Sequence, residues 1–87
     1  MTSLFAVMPT LLRQDGFEIR MYFNDHDPPH VHVFKAGGQA KVGLGNLEVS
    51  PSLLLVQGMS DKDAKKSIAI VMQHQTELLD KWEEFYG

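Results

Sequence analysis

Residues 25–33 contain two prolines and three of the four histidines of the chain, in the sequence DHDPPHVHV. Imidazole is the side chain that titrates closest to neutral pH, and it is also the commonest metal-binding side chain. A cluster of this kind is therefore suited to proton transfer or to metal coordination. We place the candidate functional site here, around His26, His30 and His32.

One interpretation of this cluster is acid–base catalysis on RNA. Cleavage of a ribonucleotide chain needs a base for the 2′-hydroxyl proton, an acid for the leaving oxygen, and cations for the developing negative charge. Strand alternation would bring side chains of these types onto one sheet face, although a solvated sheet face often carries them without any reaction. The candidate catalytic residues are His30, His32, Arg20 and Lys41.

A second interpretation is a divalent metal site. His30 and His32 are two residues apart, which points both imidazoles to the same side of a strand, and His26 would approach across the preceding loop. A catalytic zinc site typically has three protein ligands and one open position. The three histidines could form such a set, although a His-x-His pair alone is a weak signal.

A third interpretation is structural. The two prolines would fix a rigid turn, while the neighbouring aspartates accept hydrogen bonds within it. His26 and His30 would then bond to backbone groups of the loop, and His32 would lie on a half-buried sheet face. The sequence leaves these three interpretations open.

The order of periodic segments predicts an α+β fold. Apolar and polar residues alternate in the first half of the chain, as in half-buried strands, whereas the last third has a helical period near 3.6. We expect a small antiparallel meander of three to four strands, packed against one long C-terminal helix. The expected strands lie near residues 11–12 and over 17–23, 30–34 and 39–44, and the expected helix covers 61–86.

Turn residues separate these strands. Asp15-Gly16 and Gly37-Gly38 are typical two-residue hairpin connections. The proline pair cannot donate to a sheet ladder, so the third strand should begin near His30. Its alternation then directs the histidines away from the apolar face.

Residues 46–58 have no clear periodicity. Pro51 interrupts the segment, and residues 53–56 form a short apolar run that fits either a buried strand or a helical turn. Ser60 followed by Asp63 then indicates the start of the helix, with a capping hydroxyl and an acidic residue three positions later.

The composition indicates a single globular domain over residues 1–87, with 44% hydrophobic and 22% charged residues. The absence of cysteine excludes disulfides and thiolate metal sites. A net charge of −3 argues against direct binding of duplex DNA, because such binding depends on Lys and Arg contacts to phosphates. RNA remains a candidate partner.

The sequence contains no signal peptide or membrane span, so we expect a cytoplasmic protein without membrane association. Its paired glycines are not followed by the Gly-Lys-Ser/Thr of a phosphate-binding loop, so we expect no nucleotide cofactor. Trp82, Phe85 and Tyr86 recur at helical spacing near the C-terminus. We expect Trp82 to close the core and Tyr86 to contact a partner.

Several segments resemble a bacterial domain-of-unknown-function family, the one numbered 4160. The resemblance begins at Met8, so residues 1–7 form an extension relative to family members that start there. The histidine-proline run is its most distinctive part. The similar segments are Met8-Pro9-Thr10, the hairpin around Gly16, residues 25–33, Gly38, Ala40, Lys41, and the terminal helix with Leu78, Leu79 and Trp82.

The resemblance implies a small bacterial protein that is often encoded beside a member of the family numbered 2442. Such a pair resembles a type II toxin–antitoxin module, so this chain would be the toxin and its neighbour the cognate antitoxin-like partner. The alternative is a non-enzymatic accessory module that binds proteins or regulates transcription through its partner. That module would associate through an exposed sheet edge or through the long helix.

Overall fold

A computed structural model describes residues 10–22 and 27–86, which form an antiparallel five-stranded sheet followed by two helices. The strands lie in the sheet in the order in which they occur in the chain. The predicted α+β class is confirmed. The elements are β1 (Thr10–Gln14), β2 (Phe17–Arg20), β3 (His30–Lys35), β4 (Gly38–Gly43), β5 (Ser52–Gln57), α1 (Asp61–Gln73) and α2 (Gln75–Tyr86).

The register of the central strands gives the sheet one apolar face. Ile19 pairs with Val33, and Val33 pairs with Ala40, so these side chains point to the same side. Helix α1 packs on this side against β4 and β5. Leu78 and Trp82 of α2 complete the core. The buried core consists of Phe17, Ile19, Met21, Val31, Val33, Ala40, Val42, Leu44, Ile70, Val71, Leu78 and Trp82.

The sheet has five strands rather than the three to four expected. The additional strand, β5, lies within the segment that had no clear periodicity, so residues 53–56 are extended rather than helical. They do not form a buried strand, because β5 pairs with β4 alone in the described sheet and lies at its edge. This edge position explains the missing alternation, since neither face of β5 is deeply buried.

The expectation of one continuous helix over residues 61–86 is wrong, because the helix breaks at His74. The His74 ring bonds to Gln14 of β1 at 3.0 Å and to Glu77 at 2.8 Å. Gln75 then donates to the backbone carbonyl of Leu44 at 2.7 Å. These contacts hold the junction between the two helices against the sheet. The helical spacing of apolar residues continues from α1 into α2, because a single residue interrupts the helix.

Both short hairpins have two central residues with positive φ, which is the form that suits the twist of paired strands. The predicted turn at Asp15-Gly16 is present, with φ angles of 52° and 84°. The second turn lies at Ala36-Gly37, one residue earlier than expected. Gly38 belongs to β4 instead, where a Cβ atom would overlap the backbone carbonyl of Gly58.

None of the helices within the described residues is long and apolar enough to cross a membrane.

We predict that Gly38→Ala lowers the free energy of unfolding by about 1–3 kcal/mol, because the added methyl group must displace backbone atoms. Gly43→Ala is the matched control in the same strand. Its Cβ would lie 3.5 Å from the Leu54 side chain, an ordinary contact distance. Denaturant titration of both variants measures the difference, and equal stabilities would contradict the proposed overlap.

We predict that Ala36→Asn raises the free energy of unfolding by about 0.5–1 kcal/mol, because asparagine tolerates a positive φ better than alanine does. Ala69→Asn provides the control at an exposed site in α1. There the same substitution should destabilise, since alanine is the better helix former. Thermal and denaturant unfolding should therefore give opposite signs for the two variants.

Candidate functional site

Three of the candidate catalytic residues form a row across the polar face of the sheet. Arg20 of β2 pairs with His32 of β3, and His32 pairs with Lys41 of β4. Directly opposed residues of neighbouring strands have Cβ atoms about 4.5–5.5 Å apart. This cationic row therefore places one imidazole between two basic side chains, and all three residues are half-buried.

The ring of His32 is held by stacking. It lies parallel to the Tyr22 ring, with 4.1 Å between centroids and 4° between planes. The His30 ring meets His32 edge-on at 5.2 Å. Aromatic contacts of this kind restrict the orientation of the imidazole, so His32 is presented to the polar face in a defined direction.

His30 has a different environment, although its register opposite Gly43 places it on the same face as His32. It is 3% exposed, and its Nδ1–H donates to the Pro28 carbonyl oxygen at 2.7 Å. The preceding Asp27–Pro28 peptide bond is cis. The bond from His30 to the loop backbone matches the structural interpretation of this residue, and its burial leaves His32 as the more accessible imidazole of the pair.

The burial of His30 comes from α2. Its ring lies 5.5 Å from that of Trp82, which in turn lies 4.2 Å from Tyr86. Tyr22, His32, His30, Trp82 and Tyr86 thus form a continuous aromatic chain from the polar face to the end of α2. Trp82 closes the core as expected, whereas its contact with the histidines has no signal in the sequence.

Arg20 is also bound to an acidic neighbour. Its Nε donates to Glu18 at 2.5 Å, and the Thr10 hydroxyl donates to the same oxygen at 2.9 Å. The hydrogen bond from Arg20, followed by that from Thr10, lowers the pKa of Glu18 below the ordinary value of a glutamate. The guanidinium also lies 4.4 Å above the Phe34 ring, a cation–π contact.

Lys41 differs from Arg20 in its surroundings. Within residues 10–22 and 27–86, no ion pair involves Lys41, whereas Arg20 has Glu18 as its partner. Lys41 supplies a second positive charge beside His32.

The metal interpretation involves His26, which lies outside the described residues. Among the residues that are described, no group of three or more His, Cys, Asp or Glu side chains could hold a metal ion. The set of His26, His30 and His32 therefore stays a prediction. The bond from His30 Nδ1 to a carbonyl leaves Nε2 as the nitrogen that would serve as a ligand.

Alternation within residues 17–23 and 30–34 places Tyr22 and Phe34 on the polar face, where Tyr22 belongs to the candidate site, but it predicts no ring contact for either residue. An aromatic residue on a solvated strand face, across the sheet from arginine or histidine, is a signal for stacking or cation–π contacts. Here Tyr22 orients His32 and Phe34 supports Arg20. Distances between rings could not be read from the sequence, since they depend on the register.

The fold and site define a small α+β domain with a histidine-centred cationic face on its sheet. The chain belongs to the family described as Domain of unknown function (DUF4160), whose model matches residues 16–83. The resemblance described from the sequence is thereby confirmed, and the match spans the cationic row and Trp82. Comparisons with curated proteins and with solved structures give no match.

We predict that Glu18→Gln lowers the free energy of unfolding at neutral pH and has a much smaller effect at acidic pH. Because folding lowers the pKa of Glu18, its contribution is present above the ordinary glutamate pKa of about 4.3 and is lost as pH falls through the folded value. The difference in unfolding free energy between wild type and variant should shrink between neutral pH and pH of about 3. Glu83→Gln, an exposed site on α2, should give a smaller and flatter difference.

Proposed function

We propose that this chain is the toxin of a bacterial toxin–antitoxin pair and that it cleaves RNA with His32 as the catalytic base. The observation that carries the proposal is the cationic row, in which His32 lies between Arg20 and Lys41 on adjacent strands. Proton transfer and stabilisation of a negatively charged phosphorane require these groups side by side. The family itself has no described activity, so the proposal depends on this geometry and on the resemblance to toxin–antitoxin modules.

In the proposed reaction, neutral His32 removes the proton from a ribose 2′-hydroxyl, and the 2′-oxygen attacks the adjacent phosphorus. Lys41 and Arg20 stabilise the charge on the phosphorane oxygens. Tyr22 protonates the departing 5′-oxygen, and the proton held by His32 then returns to Tyr22 through water. The products are a 2′,3′-cyclic phosphate and a 5′-hydroxyl end.

RNA fits this face better than duplex DNA does. The reaction uses the 2′-hydroxyl as the nucleophile, which DNA lacks. Two cations beside His32 can hold a single phosphate, while the net charge of −3 gives little support for binding along a duplex. Unpaired RNA bases can also stack on aromatic rings, and the half-buried rings of Tyr22 and Phe34 lie on this face. We therefore propose single-stranded RNA as the substrate.

We propose the end of α2 as the contact for the cognate partner of the family numbered 2442. Tyr86 is half-buried there and packs on Trp82, which in turn contacts His30. A partner that bound Tyr86 would therefore act on the histidine pair through the aromatic chain. Inhibition would then follow from a shift of ring positions, without direct coverage of Lys41.

The alternative function is a non-enzymatic protein-binding or transcription-regulating module. The exposed apolar side chains of β5 favour this alternative, because sheet edges commonly bind other strands. In that case the cationic row would be an ordinary polar sheet face. The two functions differ in whether loss of the His32 imidazole changes activity without changing the fold.

We predict that purified protein cleaves single-stranded RNA and leaves cyclic phosphate ends. His32→Ala should lower kcat by about 10²–10⁴-fold through loss of the base. Lys41→Gln should lower it by about 10²–10³-fold through loss of charge stabilisation. Tyr22→Phe keeps the ring stack and tests the hydroxyl alone, while Lys81→Gln is the control at an exposed lysine on α2.

In cells, expression of the chain alone should arrest growth, and His32→Gln should relieve the arrest at equal protein level. Circular dichroism of each variant separates loss of activity from loss of fold. Harmless expression of the wild type at a confirmed level would remove the toxin hypothesis. Cleavage that stops with a chelator and returns with a divalent metal would favour the metal interpretation over the metal-free reaction.

A further inference from the structure

The edge strand β5 exposes apolar side chains to solvent. Leu54, Leu55 and Val56 are 46%, 47% and 39% exposed, and Val49 in the preceding loop is 56% exposed. Val49 and Leu54 line the same cleft of about 270 Å³, so the apolar surface continues from the strand into the loop. Small monomeric proteins rarely leave such a continuous apolar strip uncovered.

The same strand lacks the features that usually protect a sheet edge. Charged side chains and internal prolines oppose pairing with other strands, but β5 has the sequence SLLLVQ. Glu48 is the one charged residue between Lys41 and Asp61. In a chain of net charge −3, this segment is where two copies would meet with little electrostatic repulsion.

A β-bulge gives β5 an unusual distribution of side chains. The pairing with β4 passes from Val42 opposite Leu53 to Lys41 opposite Leu55, so Leu54 is an extra residue. A Cβ atom on Gly43 would lie 3.5 Å from the Leu54 side chain, which places that side chain on the polar face. Leu54 and Leu55 therefore lie on the same face, beside Lys41.

We propose that β5 pairs antiparallel with β5 of a second copy, so that the two sheets form one continuous sheet. An antiparallel pair keeps opposed residues on the same face. In a regular six-residue strand the side chains alternate, so the first and last residues point to opposite faces and could not be paired. The bulge at Leu54 shifts the alternation by one residue, so that Ser52 and Gln57 point to the same face. The opposed pairs are Ser52 with Gln57, Leu53 with Val56, and Leu54 with Leu55. Each pair forms twice in the dimer, because either copy can supply the first residue.

This register makes the strand complementary to itself. Polar residues meet at both ends, apolar residues meet in between, and two leucines from each copy gather at the two-fold axis. A different protein would need to supply an equally uncharged strand, whereas a second copy supplies it by symmetry. The self-complementary pattern is therefore the reason to assign this edge to dimerisation.

The size of the contact sets the expected strength. A six-residue strand is about 20 Å long, and a stable interface covers about 800 Å² on each partner. We expect a contact formed by one strand and its adjoining loop to lie at the small end of this class. We expect a reversible dimer with a dissociation constant in the micromolar range.

The dimer would also bring two cationic rows onto one face. Antiparallel pairing extends the sheet without turning it over, so both His32 residues face the same side. The two β3 strands would be five strand spacings apart, or about 24 Å. Dimerisation does not depend on the proposed RNA cleavage, and either property can be present without the other.

Sedimentation velocity over a concentration range tests the association. We expect the wild type to shift from monomer to dimer, and Leu54→Lys to weaken the dimer at least tenfold by placing charge at the two-fold axis. Met72→Lys is the matched control, because Met72 is a similarly exposed apolar residue, on α1. A wild type that stays monomeric at about 1 mM, or a dimer unaffected by Leu54→Lys, would overturn the proposal.

The register can be tested with cysteines, since the chain has none of its own. A mixture of the Ser52→Cys and Gln57→Cys variants should form a disulfide-linked heterodimer, because opposed residues have Cα atoms within disulfide range. Neither variant alone should form this bond, since the two copies of each site would be about 17 Å apart. Efficient cross-linking of either variant alone would contradict this register.

Discussion

The register of β3 between β2 and β4 is the constraint on which both faces of this domain depend. It places Val31 and Val33 in the core and His32 beside Arg20 and Lys41 on the other side. A slip of β3 by one residue would exchange the faces of its own side chains, burying His32 and exposing the two valines. The hydrophobic effect on one face therefore fixes the spacing of the charged groups on the other, with no need for direct bonds among them.

Helix α2 connects this sheet to the C-terminus through aromatic rings. At the break between the helices, the His74 side chain bonds to Gln14 of β1. The next residue, Gln75, donates to the backbone carbonyl of Leu44, which follows β4. From this junction α2 carries Trp82 to the ring of His30. The packing that completes the hydrophobic core thus also sets the position of the buried histidine, so core stability and site geometry depend on the same contact.

Much of this arrangement could be predicted, because it depends on local pattern. Alternation in residues 17–23 and 30–34 identified both faces, and Asp15-Gly16 identified a hairpin turn. The break at His74 could not be predicted, since one interrupting residue leaves the helical period intact. The edge strand was ambiguous because neither of its faces is deeply buried, and the contact of Trp82 with His30 depends on how α2 crosses the sheet.

The meander has a consequence for the way the chain is made. Every strand pairs with its neighbour in sequence, so the whole sheet can assemble from hairpins as soon as residue 57 leaves the ribosome. Its apolar face is then uncovered until the helices follow. During that interval the nascent sheet exposes its future core, so association with other exposed apolar surfaces competes with docking of the helices.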